Sequence, residues 1–360
     1  MLSVVAMHAI FMVGFNPSEG ILPYAAECAF KYGTIGFFLI SGFLLGDRID
    51  VASPLSYLSR RLKILLRPWA FWFALYVAYS VASYVDNQKI SLSSLSSWAH
   101  GIWSNLEIAL FGTSFWFVPN LAIGMCILVL FRHKLHSVRL GLLLFAVNAV
   151  YVANIYGEWF SPNHNSALFA YVCFLWLGTY TARNFARFSR SLDRVPMAAL
   201  ALLTLLSFLV SVAEVKLLLT RHSVEPMNTL RLSNQVFSIL VVLVLVKVKT
   251  VTWPSFAEVR QQTYCIYLVH MFYLRFAFAV CNRVFGRGLM GGSHPSISFL
   301  LRALLFVFAY GGSILASKVI LASHRWSWII GVQPGSRDKL EVPSKSGAKY
   351  DFTGQNMPVR

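Results

Sequence analysis

A histidine buried in an apolar run and a knot of cations beyond the next run are the residues of this chain that could do chemistry. His8 stands inside the apolar stretch 1–15. Ionisable groups are rarely kept in lipid without a use, and imidazole is the usual general base near neutral pH. A histidine hydrogen-bonded inside a helix bundle is the competing explanation. Past the second apolar stretch comes Ser59-Arg60-Arg61-Leu62-Lys63, followed by Arg67-Pro68. Guanidinium groups bind phosphate oxygens in pairs and stay charged at every relevant pH. Arg60, Arg61 and Lys63 would suit the diphosphate and further phosphate of coenzyme A; a plain positive-inside anchor is the alternative.

Three other groups are candidates. In Thr34–Gly46, Gly42 and Gly46 have the small-xxx-small spacing that lets a backbone approach closely. Ser41 sits beside them, without a histidine and acid at a spacing that would make it a hydrolase nucleophile. Phe115-Trp116-Phe117 reads as an aromatic belt at the outer interface. Tyr264, Tyr267 and His270 recur every three residues, so one helical face carries a polar stripe, as a cavity wall would. Arg275 continues that helix and needs a partner, with Glu107 and Glu214 as candidates.

These residues must be held by membrane helices. The 360-residue chain is 57% hydrophobic and 12% charged, about half the usual charged fraction, so its solvent is largely lipid. Reading by length gives an all-α, polytopic bundle of about ten spans: 1–15, 33–46, 68–85, 115–131, 140–156, 166–182, 196–213, 232–246, 262–281 and 297–320. The short apolar segment 102–112 is expected to be interfacial or re-entrant, and Pro68 to open the third helix. Alternate connections carry 15 against 7 lysines and arginines, which places the richer set and both termini in the cytoplasm. The net charge of +17 is therefore a topology and headgroup signal; no basic helix or basic–aromatic repeat points to nucleic acid. Residues 1–325 read as one membrane domain and 331–360 as a disordered cytoplasmic tail. The five cysteines read as small buried apolar residues, a Cys28–Cys281 disulfide being the alternative, and none has metal-ligand spacing.

In order along the chain, these pieces resemble the acyltransferase-3 family of bacterial integral membrane O-acyltransferases. The matching residues are Val4-Val5-Ala6-Met7-His8, Phe37-Phe38 with Ser41-Gly42-Phe43, the arginines before Pro68, the aromatic segment 115–117 and Tyr267-Leu-Val-His270. The resemblance implies an acyl-CoA donor as co-substrate with no other cofactor, and a carbohydrate or glycolipid hydroxyl as acceptor. It also implies an essential role for His8 and a place in the cell inner (cytoplasmic) membrane. His270, Tyr267 and Trp116 are the candidate oxyanion donors, and Trp98, His100 and Trp103 are candidates for choosing the acceptor. The family places an arginine eleven residues before the histidine, a position preceding Met1, which implies an upstream start or a truncated, inactive remnant. Its Arg-x-x-Arg is met only as Arg60-x-x-Lys63 or Arg61-x-x-Ile64. A glycan or solute exporter with a path along Tyr264–Tyr267–His270 is the reading from another class; no inverted repeat supports it.

Overall fold

The computed structural model describes residues 1–15, 17–46, 53–88, 95–248, 259–285, 295–323 and 325–332, and among these every regular element is helical. In chain order they are α1 (Leu2–Val13), α2 (Leu22–Phe30), α3 (Tyr32–Gly46), α4 (Pro54–Gln88), α5 (Leu95–Phe111), α6 (Phe117–Leu130) and α7 (Val138–Gly157). Then come α8 (Val172–Arg183), α9 (Phe185–Arg194), α10 (Met197–Thr220), α11 (Leu232–Lys247), α12 (Val259–Phe285) and α13 (Pro295–Ala322). Among the described residues six helical stretches are long and apolar enough to cross a bilayer: 22–46, 54–83, 138–157, 197–220, 262–284 and 295–322. The pair 99–111 and 114–130 makes a seventh if its 70° bend lies within one span. By this measure the expected ten are not reached. The tail from residue 333 onward lies outside the described residues.

The differences from the expected spans have local causes. The chain before residue 33, expected as a loop, is helical from Leu22, because Pro23 sits where a first-turn proline costs no hydrogen bond and Lys31 neutralises Glu27 four residues earlier. Pro68 does not open a helix. It lies inside the 35-residue α4, so the basic residues occupy the opening turns of the same rod that later crosses the membrane. A 35-residue helix is about 52 Å long, well beyond a hydrocarbon core of about 30 Å, so its basic end can stand clear of lipid.

The expected span at 166–182 shrinks to the 12-residue α8, preceded by irregular backbone. Non-helical backbone is tolerated at membrane depth only where protein satisfies its polar groups. Asparagines do this: Asn148 donates to the Ala170 carbonyl (3.0 Å), Asn120 to Asn165 (3.1 Å), Asn154 to Phe160 (2.9 Å) and Asn228 to Pro162 (2.6 Å). Of segment 102–112, residues 102–111 form the latter part of α5, and the chain turns sharply from Gly112 on. Thr113 caps that turn, accepting from Phe115 N and donating to the Ala109 carbonyl.

Two apolar clusters form the core. One gathers Phe38, Leu128, Tyr171, Leu175 and Trp176 around α3, α6, α7 and α8; the other gathers Val5, Tyr76, Phe115, Leu268 and Leu305 around α1, α4, α12 and α13. In the first, α3 and α8 touch backbone to backbone. A Cβ on Gly42 would collide with the Leu175 carbonyl, and one on Gly178 with the Leu39 carbonyl. Among the described residues the buried charges are paired. Arg302 clamps Glu19 with two hydrogen bonds (2.9 and 2.6 Å) and also reaches the Gly14 carbonyl. Arg231, wholly buried, donates to Ser211 O and Asn228 O beside Glu214. Arg275 takes neither expected glutamate. It donates to Ser80 Oγ and lies over the Tyr76 ring, while Glu214 accepts from Tyr156 and Ser233. All five cysteines are free; Cys28, Cys173 and Cys265 are buried and Cys126 is exposed.

Candidate active site

His8 lines a cavity of about 370 Å³ bounded by α1, α2, α3, the turn at 112–117, the loop segments 164–165 and 224–227, and Tyr267 of α12. The loop residues in this wall come from connections poor in lysine and arginine. His8 reaches across to α12, where its Nδ1 lies 3.2 Å from His270 Nε2. The partners assign the protons. His270 Nδ1 faces two carbonyl oxygens, Tyr267 O at 2.7 Å and Ile266 O at 3.0 Å, so it carries hydrogen. In a neutral ring His270 Nε2 then holds a lone pair and accepts from His8 Nδ1–H. His8 is thereby fixed as the tautomer whose lone pair is on Nε2, the form a general base requires.

The same cavity holds two acid–base pairs that are distant from His8 in sequence or unremarkable in type. Lys31 donates to Glu27 Oε1 (2.7 Å), both side chains being nearly inaccessible, and Glu27 Oε2 is buried without a hydrogen-bond partner. His164 Nδ1 meets Glu225 Oε1, and the His164 backbone N–H donates to Glu225 Oε2 at 3.0 Å. Burial alone would raise the Glu225 pKa; the His164 charge, the two hydrogen bonds and nearby Lys31 outweigh it and hold the carboxyl below its usual range. Trp116, edge-on to His164 and tilted against Tyr171, supplies an aromatic wall, and Phe15 stacked on Tyr24 supplies another. Aromatic faces beside carboxylates and imidazoles suit a ligand with both apolar faces and hydroxyls.

A second space, an open cleft of about 880 Å³, lies between the first turns of α4 and the short helical turn Ser327–Ile330. Arg60, Lys63 and Arg67 line it, with Ser56 and Ser59. Their spacing of three and four residues puts them on one helical face. Arg61 falls outside this face: its Nε donates to the Tyr57 hydroxyl at 3.1 Å. Arg67 therefore takes the place expected of Arg61 in the basic surface.

Two stacked tyrosines connect the cavity wall to the cleft wall. Tyr264 and Tyr267 rings are nearly parallel, with centroids 6.0 Å apart. Tyr267 lines the cavity and donates to the Ser114 carbonyl (2.6 Å). Tyr264 packs against Gly331 of the cleft wall and donates to the Leu65 carbonyl. Pro68 stands close by: lacking an N–H, it leaves the Ile64 carbonyl, one residue before that acceptor, without its helical donor.

The structure thus brings His8, His270, Tyr267 and Trp116 to one place, and Arg60 and Lys63 to another. Ser41 lies on α3 outside the cavity lining, and His100 and Trp103 are exposed on α5, also away from it; the Trp98 side chain lies outside the described residues. Glu27, Lys31, His164 and Glu225 were missed. Only Glu27–Lys31 leaves a local trace, an i,i+4 acid–base pair in an otherwise apolar helix; His164 and Glu225 lie 61 residues apart.

No curated protein and no solved structure matches the chain. The sequence model of one family, described as an acyltransferase domain, matches residues 1–321, nearly the whole length. That match, over a bundle of apolar helices enclosing a histidine-bearing cavity, means that the chain belongs to the acyltransferase-3 family and is a multi-pass membrane acyltransferase.

Proposed function

We propose that the protein moves an acyl group, acetyl being the first to test, from acyl-CoA to a hydroxyl of a cell-surface carbohydrate or glycolipid at the cell inner membrane, with His8 as general base. The observation that carries this reading is the His8–His270 hydrogen bond at the wall of a cavity lined by aromatic rings and two acid–base pairs. His8 Nε2 takes the hydroxyl proton as the oxygen attacks the thioester carbonyl. The C–S bond then breaks, the thiolate recovers the proton from the imidazolium, and ester and free thiol remain. The developing oxyanion needs a donor. Both nitrogens of His270 and the Tyr267 hydroxyl already have partners, which favours the Trp116 indole N–H among the three candidates.

A topology with both termini cytoplasmic fits this chemistry. Ten crossings result if the short helices α1, α8 and α11 count with the six long stretches and the bent α5–α6 pair counts as one. The basic connections then share the side of the cleft, and the loops around His164 and Glu225 share the opposite side. Donor phosphates dock at Arg60, Lys63 and Arg67, and the acceptor enters from the other face.

The test follows label from radioactive acetyl-CoA into the lipid and polysaccharide fractions of membranes carrying the chain or its His8→Ala variant. Loss of the base is expected to cut label by about 10²–10⁴-fold. Full activity in His8→Ala would remove the base assignment.

A further inference from the structure

We propose that Trp328 is the platform on which the adenine ring of the donor stacks, completing a nucleotide site whose phosphate wall is Arg60, Lys63 and Arg67. The inference rests on the acyl-CoA reading above and adds the group that recognises the base. Trp328 lines the same cleft as the three cations, from the opposite wall. Trp328 is 41% exposed, whereas the residues that follow it in the turn, Ile329 and Ile330, are buried. Trp72 Nε1 donates to the Ile329 carbonyl at 2.9 Å. Gly331 continues the turn at φ +78°, a conformation side chains disfavour, and so brings the backbone flat against Tyr264. Phe71 packs edge-on to the indole, with ring centroids 5.7 Å apart. An aromatic side chain in the same cleft as a row of cations matches a purine carrying several phosphates, because stacking suits the base and the cations suit the phosphates.

An interfacial anchor is the other use of a tryptophan at this depth, and Trp326 supplies the internal control. It is more exposed, at 54%, and lies on the same segment, yet it does not line the cleft. Anionic lipid headgroups share the phosphate chemistry and are separated from a nucleotide by the choice of probe.

The experiment uses the full chain in nanodiscs of phosphatidylcholine and measures equilibrium binding of two soluble probes, adenosine 3′,5′-bisphosphate and pyrophosphate. Trp328→Ala is expected to weaken the bisphosphate by about tenfold or more, the loss of one base–aromatic stack, and to leave pyrophosphate unchanged. Arg67→Gln is expected to weaken both probes, and Trp326→Ala neither. Equal bisphosphate affinity in wild type and Trp328→Ala overturns the proposal, as does an equal loss in Trp326→Ala. Retention of phosphatidylglycerol by the wild-type chain, lost in Arg67→Gln, with neither probe bound, would make the cleft a headgroup site and overturn it too. Bisphosphate binding that depends on Trp328 in a chain that transfers no acyl group would sustain the site and reject the proposed reaction.

Discussion

His270 is the residue whose sequence reading changes most. Spacing put it on one polar stripe with Tyr264 and Tyr267, yet the three side chains serve three places: the cleft wall, the cavity wall and the Nδ1 of His8. It acts through His8 and is a positioning residue. His270→Ala is expected to lower kcat by about 10- to 100-fold, the cost usual for losing a partner that orients a functional imidazole. His270→Gln, whose amide oxygen can still accept from His8 Nδ1–H, is expected to recover part of that loss. A plain structural role would lower thermal stability in both variants alike, so kcat and melting temperature are measured together. His8 itself was legible from type and place alone, because an imidazole in an apolar run is conspicuous. Glu225 was not, because an acid in a polar loop looks ordinary until folding sets it against His164.

At the scale of elements, the glycines of α3 were legible and their partner was not. The Gly42–Gly46 spacing announced close helix contact, and the structure supplies α8, which answers with Gly178. Gly42→Ala or Gly178→Ala drives a methyl into a backbone carbonyl that cannot rotate away. Each is expected to destabilise the bundle by about 1–3 kcal/mol, read as a lower melting temperature in detergent. Gly311→Ala on α13, where an added Cβ meets nothing within 4 Å, is the control and is expected to hold or gain about 0.5–1 kcal/mol from the better helix former. The long α4 was misread at Pro68 for a physical reason. Proline is poorly tolerated inside helices in water, but within a bundle neighbouring groups and local adjustment offset the one helical bond it removes, so α4 runs on through Pro68.

For the whole molecule, hydropathy gave the class and charge asymmetry gave a consistent set of sides, but length rules failed where helices are wrapped by protein. In α8, Cys173, Phe174 and Leu175 are fully buried, so the helix never has to match the lipid thickness from which spans are counted. What hydropathy cannot show is that the chain holds two separate spaces, the cavity lined by Tyr267 and the basic cleft whose Gly331 lies against Tyr264. That separation has an electrical consequence. In the proposed reaction a proton passes from a hydroxyl on the cavity side to a thiol on the cleft side, while the acyl group passes the opposite way. Acyl-CoA and free coenzyme A carry the same charge, as do the hydroxyl and its ester, so each turnover is electrically neutral. A net charge crossing the whole bilayer would be worth about 2.3 kcal/mol per 100 mV, and here none crosses. In proteoliposomes with the cleft facing the lumen, acyl transfer is expected to give the same product yield at interior-negative and interior-positive potentials. A yield that follows the voltage would mean that a proton crosses without an acyl group in exchange.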